Sequence, residues 1–139
     1  MSAPRVLSAS ETFASLDAAG GVQTHDVSPE FWSQLASGER VLPGPYLMSF
    51  GSSSGDWPHW EMHPSGEEIV MLIAGSGDLL LRLPDGDRCL SLGQAGEYVV
   101  IPRGTWHTYR KAKGEGATLL FITTGEGTTR SEDPPRPAT

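Results

Sequence analysis

The 139-residue sequence contains one cysteine, Cys89. A lone thiol excludes an intramolecular disulfide framework and makes a reducing compartment, the cytoplasm, the expected location. Concentrated basic charge is missing as well. Ten Lys and Arg face 17 Asp and Glu, for a formal net charge of −7, and the cations are scattered along the chain. No nucleic-acid partner is expected, because phosphates need a basic face. Long apolar runs are also absent. The longest, IVMLIAG at 69–75, falls far short of the roughly 20 residues that span a bilayer, and MSAPRVLSASETF lacks the charged start and apolar core of a secretory leader. No membrane partner is expected.

The chain is rich in turn formers, with 17 Gly and 11 Pro, which punctuate many short elements. Its length suits one domain with one core. Near the start, Ser8 and Glu11 fit a capping box for a helix over about 9–18 that stops at Gly20-Gly21, and Ser28-Pro29-Glu30 reads as the opening of a second helix through about Leu35. From Gly44 onward the pattern is strands: 46–50, 59–63, 68–75, 78–83, 88–92, 98–102, 106–111 and 118–124, with turns such as Pro84-Asp85-Gly86-Asp87 between them. The expected fold class is all-β, a sandwich or barrel. Its expected parts are an N-terminal helical segment at 1–44 packed on a β-barrel at 45–126, and a disordered tail at 127–139.

The strand at 68–75 is apolar on both faces. Val70, Leu72 and Ala74 share one side with Glu68, and Ile69, Met71 and Ile73 share the other. One face fills the interior. The other needs cover from the opposing sheet, the N-terminal helices or a second subunit, and a homodimer is expected.

Two stretches carry the chemistry. In WEMHPSGEE, residues 60–68, Glu61 and His63 lie two apart on a strand and so share a face, about 7 Å apart. The turn Pro64-Ser65-Gly66 leads to Glu68, which antiparallel pairing could return to the first two. In GEYVVIPRGTWH, residues 96–107, the corner Pro102-Arg103-Gly104 precedes His107. If the two hairpins face each other, two imidazoles and two carboxylates converge.

These stretches resemble the two motifs of the cupin superfamily. Gly55, five residues, Glu61-x-His63, four residues, Glu68, six residues and Gly75 match the spacing of the first motif. Gly96, five residues, Pro102-x-Gly104, two residues, His107, three residues and Lys111 match the second. The family's first motif histidine is Glu61 here, and its closing asparagine is Lys111. The resemblance implies a jelly-roll β-barrel holding one divalent metal ion (Fe, Mn, Zn or Ni), with His63, Glu68 and His107 as ligands and Glu61 in the fourth ligand's place. Imidazole and carboxylate donors suit such ions. Glu61 is either a ligand or a general base beside the metal. Without a metal, the four residues would form a polar hydrogen-bonded cluster.

Around that centre, Val70, Tyr109 and Phe121 are the substrate-pocket candidates, the first two by strand parity with Glu68 and His107. His59 belongs at the rim, about 13 Å from His63 along an extended strand. His25 is expected to be solvated, Glu67 to face outward, and Trp57, Trp60 and Trp106 to serve packing. Cys89 is expected to be packed. The function implied is that of a small metal-dependent enzyme, of dioxygenase, isomerase, cyclase or lyase type, acting on a small oxygen-bearing substrate. The alternatives are a non-catalytic module that senses a metal or small ligand, and a metal-free acid–base catalyst.

Overall fold

The computed structural model describes residues 3–111 and 113–138. Among them the chain forms β1 (Thr12–Leu16), β2 (Val22–Asp26), α1 (Phe31–Ser37), β3 (Tyr46–Ser53), β4 (Trp60–Met62), β5 (Glu68–Gly75), β6 (Gly77–Leu83), β7 (Gly86–Leu92), β8 (Tyr98–Ile101), β9 (His107–Arg110), β10 (Ala117–Thr124) and β11 (Thr129–Ser131). One sheet has the order β2-β1-β3-β10-β5-β8 and the other β11-β4-β9-β6-β7. The chain crosses between sheets at nearly every connection from β3 onward. The middle strands, β3-β10-β5-β8 against β4-β9-β6-β7, have jelly-roll order, extended by β1 and β2 on one sheet and by β11 on the other.

Alternation along each strand builds the interior. Val70, Leu72, Ile101 and Leu119 from the first sheet meet Leu79, Leu81, Leu92 and Tyr109 from the second in one buried cluster. Among the described residues no ladder joins the two sheets. The expected all-β jelly roll is present, its two sheets held together by side-chain packing. No helix among the described residues is long and apolar enough to cross a membrane.

The N-terminal reading needs correction. In place of a helix over 9–18 there is a hairpin of β1 and β2. The Ser8 carbonyl does accept from the amides of Glu11 and Thr12, but this single turn does not propagate. Phe13 and Ser15 are buried alternately against β3 and α1, a period of two that a helix cannot satisfy. The glycines read as a helix stop make the hairpin turn. Asp17 Oδ1 accepts from the amides of Ala19 and Gly21, at 2.9 and 2.7 Å. The second helix exists but starts later, at Phe31, which packs edge-on against Phe13 at 5.2 Å.

The expected disordered tail also differs. Thr129–Ser131 pair with β4, and Arg82 Nη1 donates to Asp133 Oδ1 at 2.9 Å and to the Pro134 carbonyl at 2.6 Å. Arg136 donates to the Leu83 carbonyl. Polar composition suggested disorder, but the partners that order this segment lie far away in sequence. Thr139 lies outside the described residues.

On the outer face of the six-stranded sheet, Tyr46, Ile73, Tyr98 and Val100 are exposed, with Tyr98 and Val100 opposite Met71 and Ile69. On the inner face of the five-stranded sheet, Gly77 lies where a Cβ would collide with the Tyr109 ring, which is itself almost fully buried. Gly77→Ala should therefore cost about 1–3 kcal/mol through overpacking, read as a lower midpoint in urea unfolding.

Candidate metal centre

The two polar stretches meet because their backbones are joined. Glu61 on β4 sits opposite His107 on β9. The amide of Gly104 donates to the His63 carbonyl at 3.0 Å, and the Thr108 hydroxyl donates to the His59 carbonyl at 2.8 Å. Gly104 has φ of 75°, the left-handed conformation a glycine adopts without strain, so the corner can fold back onto His63.

Glu68 arrives from the opposite sheet, at the start of β5. Its Oε1 lies 3.1 Å from His107 Nε2 and its Oε2 lies 3.2 Å from His63 Nε2. Thr123, its register partner on β10, donates to Oε2 at 2.5 Å. His107, Glu68 and His63 are all buried. Glu61 lies toward the rim, with Oε2 4.0 Å from His63 Nε2 and Oε1 3.1 Å from His59 Nε2 and 3.3 Å from Arg130 Nε. Glu61, His63 and His107 form a set whose donor atoms all lie within 4.8 Å of one another. Glu68 touches both imidazoles but is not in that set.

The outer nitrogens of both rings are engaged. His107 Nδ1 donates to the Thr105 carbonyl at 3.0 Å. His63 Nδ1 donates to Thr128 Oγ1 at 2.8 Å, whose own hydroxyl proton goes to the Gly125 carbonyl at 2.7 Å. Both rings therefore turn Nε2 inward, as metal-ligating imidazoles do. His63 Nε2, His107 Nε2 and Glu68 Oε1 are buried without a hydrogen-bond partner among the described residues. Their separations are those of ion pairs, but their alignment is too poor for hydrogen bonds. Three orphaned electron-pair donors converging in this way fit a divalent cation.

Burial pushes the Glu68 carboxyl up, but the close imidazoles of His107 and His63 together outweigh this and hold it at about 2. Burial pushes His107 down; Glu68 above all, with the Thr105 carbonyl and Glu61, more than offsets this and raises it above 6.5.

No family model matches the sequence, and no curated protein matches it. Solved structures do. A cupin-2 domain protein from Shewanella frigidimarina is 24% identical with a TM-score of 0.47, over 59% of this chain and 72% of that one. A protein from Neisseria meningitidis is 17% identical with a TM-score of 0.47, over 70% and 98%. Oxalate decarboxylase from Bacillus subtilis is 18% identical with a TM-score of 0.52, over 63% of this chain and 23% of that one. That last likeness coincides with the jelly-roll strand order. The fold is that of a cupin. This chain spans less than a quarter of the oxalate decarboxylase chain, and at such identity the likeness is one of fold.

Within this fold, Val70 and Tyr109 are buried in the core one step along their strands from Glu68 and His107, with half-buried Phe121 opposite Val70. They form the apolar ground beneath the polar cluster. Trp57 packs near both Tyr109 and Phe121, with ring centroids 6.0 Å apart in each case. Glu67 is exposed. Trp60 is buried beneath the Arg82 guanidinium, 4.2 Å from its ring centroid. Two minor expectations are overturned. Cys89 is exposed, because it lies on the edge strand β7 facing away from the core. His25 is half-buried, 2.8 Å from the Ser15 hydroxyl, because the N-terminal segment is a hairpin.

Sequence reasoning missed Thr123, Thr128 and Arg130. Strand parity with Glu68's partner could have found Thr123. The other two lie in the segment set aside as a tail.

The shifts fix the pH response of the metal-free protein. Glu68 falls from an ordinary 4.5 to about 2, so its contribution is whole above 4.5 and is lost as pH drops toward 2. His107 is raised above 6.5, so its contribution is whole below 6.5 and is lost as pH climbs through its folded value. Urea midpoints across pH should show both limbs, and Glu68→Gln should shrink the acid limb, leaving the part carried by carboxyls such as Asp87 and Glu97, and flatten the alkaline one.

Proposed function

We propose that this cupin binds one divalent metal ion through His63, Glu68, His107 and Glu61, and uses it to act on a small oxygen-bearing molecule. The observation that carries the reading is the trio of buried, partnerless donor atoms on His63, Glu68 and His107, with Glu61 within reach of both imidazoles. The donor chemistry favours Mn, Fe, Zn or Ni. The Bacillus subtilis oxalate decarboxylase has Mn(II) centres, which makes Mn²⁺ the first ion to try. The ion supplies Lewis-acid chemistry, drawing electron density from a substrate oxygen. The chain supplies the rest: Thr123 holds the Glu68 carboxylate in place, the apolar ground of Val70, Tyr109 and Phe121 excludes water beneath it, and Glu61 and His59 stand at the rim where a substrate enters. Whether the reaction is of the dioxygenase, isomerase, cyclase or lyase type follows from the substrate.

A metal-free reading has one observation in its favour. Glu68 lies near enough to both imidazoles to be neutralised by a protonated histidine, which would leave an acid–base pair. Elemental analysis of protein purified without an affinity-tag metal column separates the two. The metal reading expects about one equivalent of a first-row divalent ion in the wild type, loss of it in His107→Ala, and retention in Glu61→His. Metal content near zero in the wild type favours the metal-free cluster.

We further infer that the working unit is a homodimer formed through the outer face of the six-stranded sheet. The exposed Ile73, Tyr98, Val100 and Tyr46 carry no ionisable carboxylate or amine. Two copies can cover this apolar patch for each other, with Glu67 and Asp26 at its margins. The lone, unpaired Cys89 accords with a reducing cytoplasm. Sedimentation velocity should give a dimer, and Val100→Glu should convert it to a monomer; a monomeric wild type removes the idea.

A further inference from the structure

We propose that the C-terminal segment 125–131 is a built part of the metal centre, with Thr128 the residue that positions His63 for ligation. The inference rests on the metal reading above and adds a residue outside both polar motifs. Three contacts stitch this segment to the turn that carries His63. Ser65 Oγ donates to the Glu126 carbonyl at 2.7 Å. Gly127, at φ of 77°, lies so close to Pro64 that a Cβ there would sit 3.1 Å from the proline ring. Thr128 Oγ1 accepts from His63 Nδ1 at 2.8 Å.

The Thr128 contact is directional. Thr128 Oγ1 gives its own proton to the Gly125 carbonyl at 2.7 Å, so the hydroxyl can only accept from the imidazole. That assigns the His63 proton to Nδ1 and leaves the Nε2 lone pair facing Glu68 and His107. Thr128 thus sets both the tautomer and the ring plane. His107 achieves the same with the Thr105 carbonyl of its own corner; His63 borrows its acceptor from a segment 65 residues away.

Immediately beyond, β11 pairs with β4 in a register that sets Arg130 opposite Glu61, and Arg130 Nε donates to Glu61 Oε1. The next residues are clasped by Arg82 through Asp133 and the Pro134 carbonyl. The segment therefore touches two of the four proposed ligands from outside, and its far end is anchored.

Mn²⁺ calorimetry and the visible spectrum of the Co²⁺-loaded protein test this, with the wild type compared against Thr128→Val and Thr128→Ser. Thr128→Val keeps shape and loses the acceptor. It should weaken Mn²⁺ binding about ten- to a hundredfold, the usual effect of removing a ligand's outer partner, and should shift the Co²⁺ bands. Thr128→Ser keeps the hydroxyl and should restore both. The metal-free melting temperature of Thr128→Val should fall by no more than a few degrees, as one lost hydrogen bond requires, and that of Thr128→Ser should match the wild type, which excludes a general loss of fold. Equal affinity and spectrum in Thr128→Val and the wild type would overturn the inference while leaving the metal reading intact, and so would a serine variant as weak as the valine one. A wild type that takes up neither ion overturns the metal reading and this inference together.

Discussion

A single backbone hydrogen bond carries much of this arrangement: the Gly104 amide to the His63 carbonyl. It joins the corner after β8 to the end of β4, and with the Glu61–His107 pairing it sets the two histidines side by side at one end of the neighbouring strands β4 and β9. Glu68 comes from the other sheet: residues 64–67 carry the chain across the gap rather than pairing β5 back onto β4, the arrangement that the sequence spacing suggested. Pro64, Ser65 and Gly66 turn the chain across the gap, and Gly66 lies so close against Thr124 that a side chain would strike it. The centre therefore sits where the chain changes sheets. Two donors come from one layer and a carboxylate from the facing layer, which lets three groups approach one point from different sides without long, mobile side chains.

That placement also governs the surroundings. Each strand that delivers a polar group at the mouth delivers an apolar one a step deeper: Glu68 then Val70, His107 then Tyr109, Thr123 then Phe121. The period of two stacks a polar layer directly on the hydrophobic core. Burial of the polar layer is costly unless it is compensated. The compensation is divided between outer hydrogen bonds from Thr105, Thr123 and Thr128 and the mutual attraction of carboxylate and imidazole.

Much of this was legible in the sequence. The strands from Tyr46 to Thr124 follow from alternation and turn residues, and the spacing of Glu61, His63, Glu68 and His107 implies their convergence, because strand geometry is local and regular. What was not legible depends on distant partners. The capping pattern at Ser8 and Glu11 is a real local signal, but burial of Phe13 and Ser15 against β3 and α1 overrides it. The tail reads as disordered because its own residues cannot form a core. It is ordered by Arg82, by the edge of β4 and by the turn at Pro64, none of which is near it in sequence. Thr128 and Arg130 were lost with it.

The same tail bears on Glu61, the one position of the proposed ligand set where this chain departs from the cupin motif. A divalent ion with two neutral imidazoles and two carboxylates sums to zero charge, whereas the three-histidine, one-glutamate set sums to +1. Glu61 thus adds a negative charge that the usual set lacks. Arg130 lies opposite it in the β4–β11 register with Nε 3.3 Å from Oε1, and with that guanidinium counted the local sum returns to +1. The cation is on the outer oxygen, and Glu61 Oε2 faces His63. Charge is thereby balanced from outside the cluster while the inner oxygen stays free to coordinate. A histidine in place of Glu61 would need no such partner, so the departure at position 61 and the ordered strand that follows β10 are best understood as one feature of this protein.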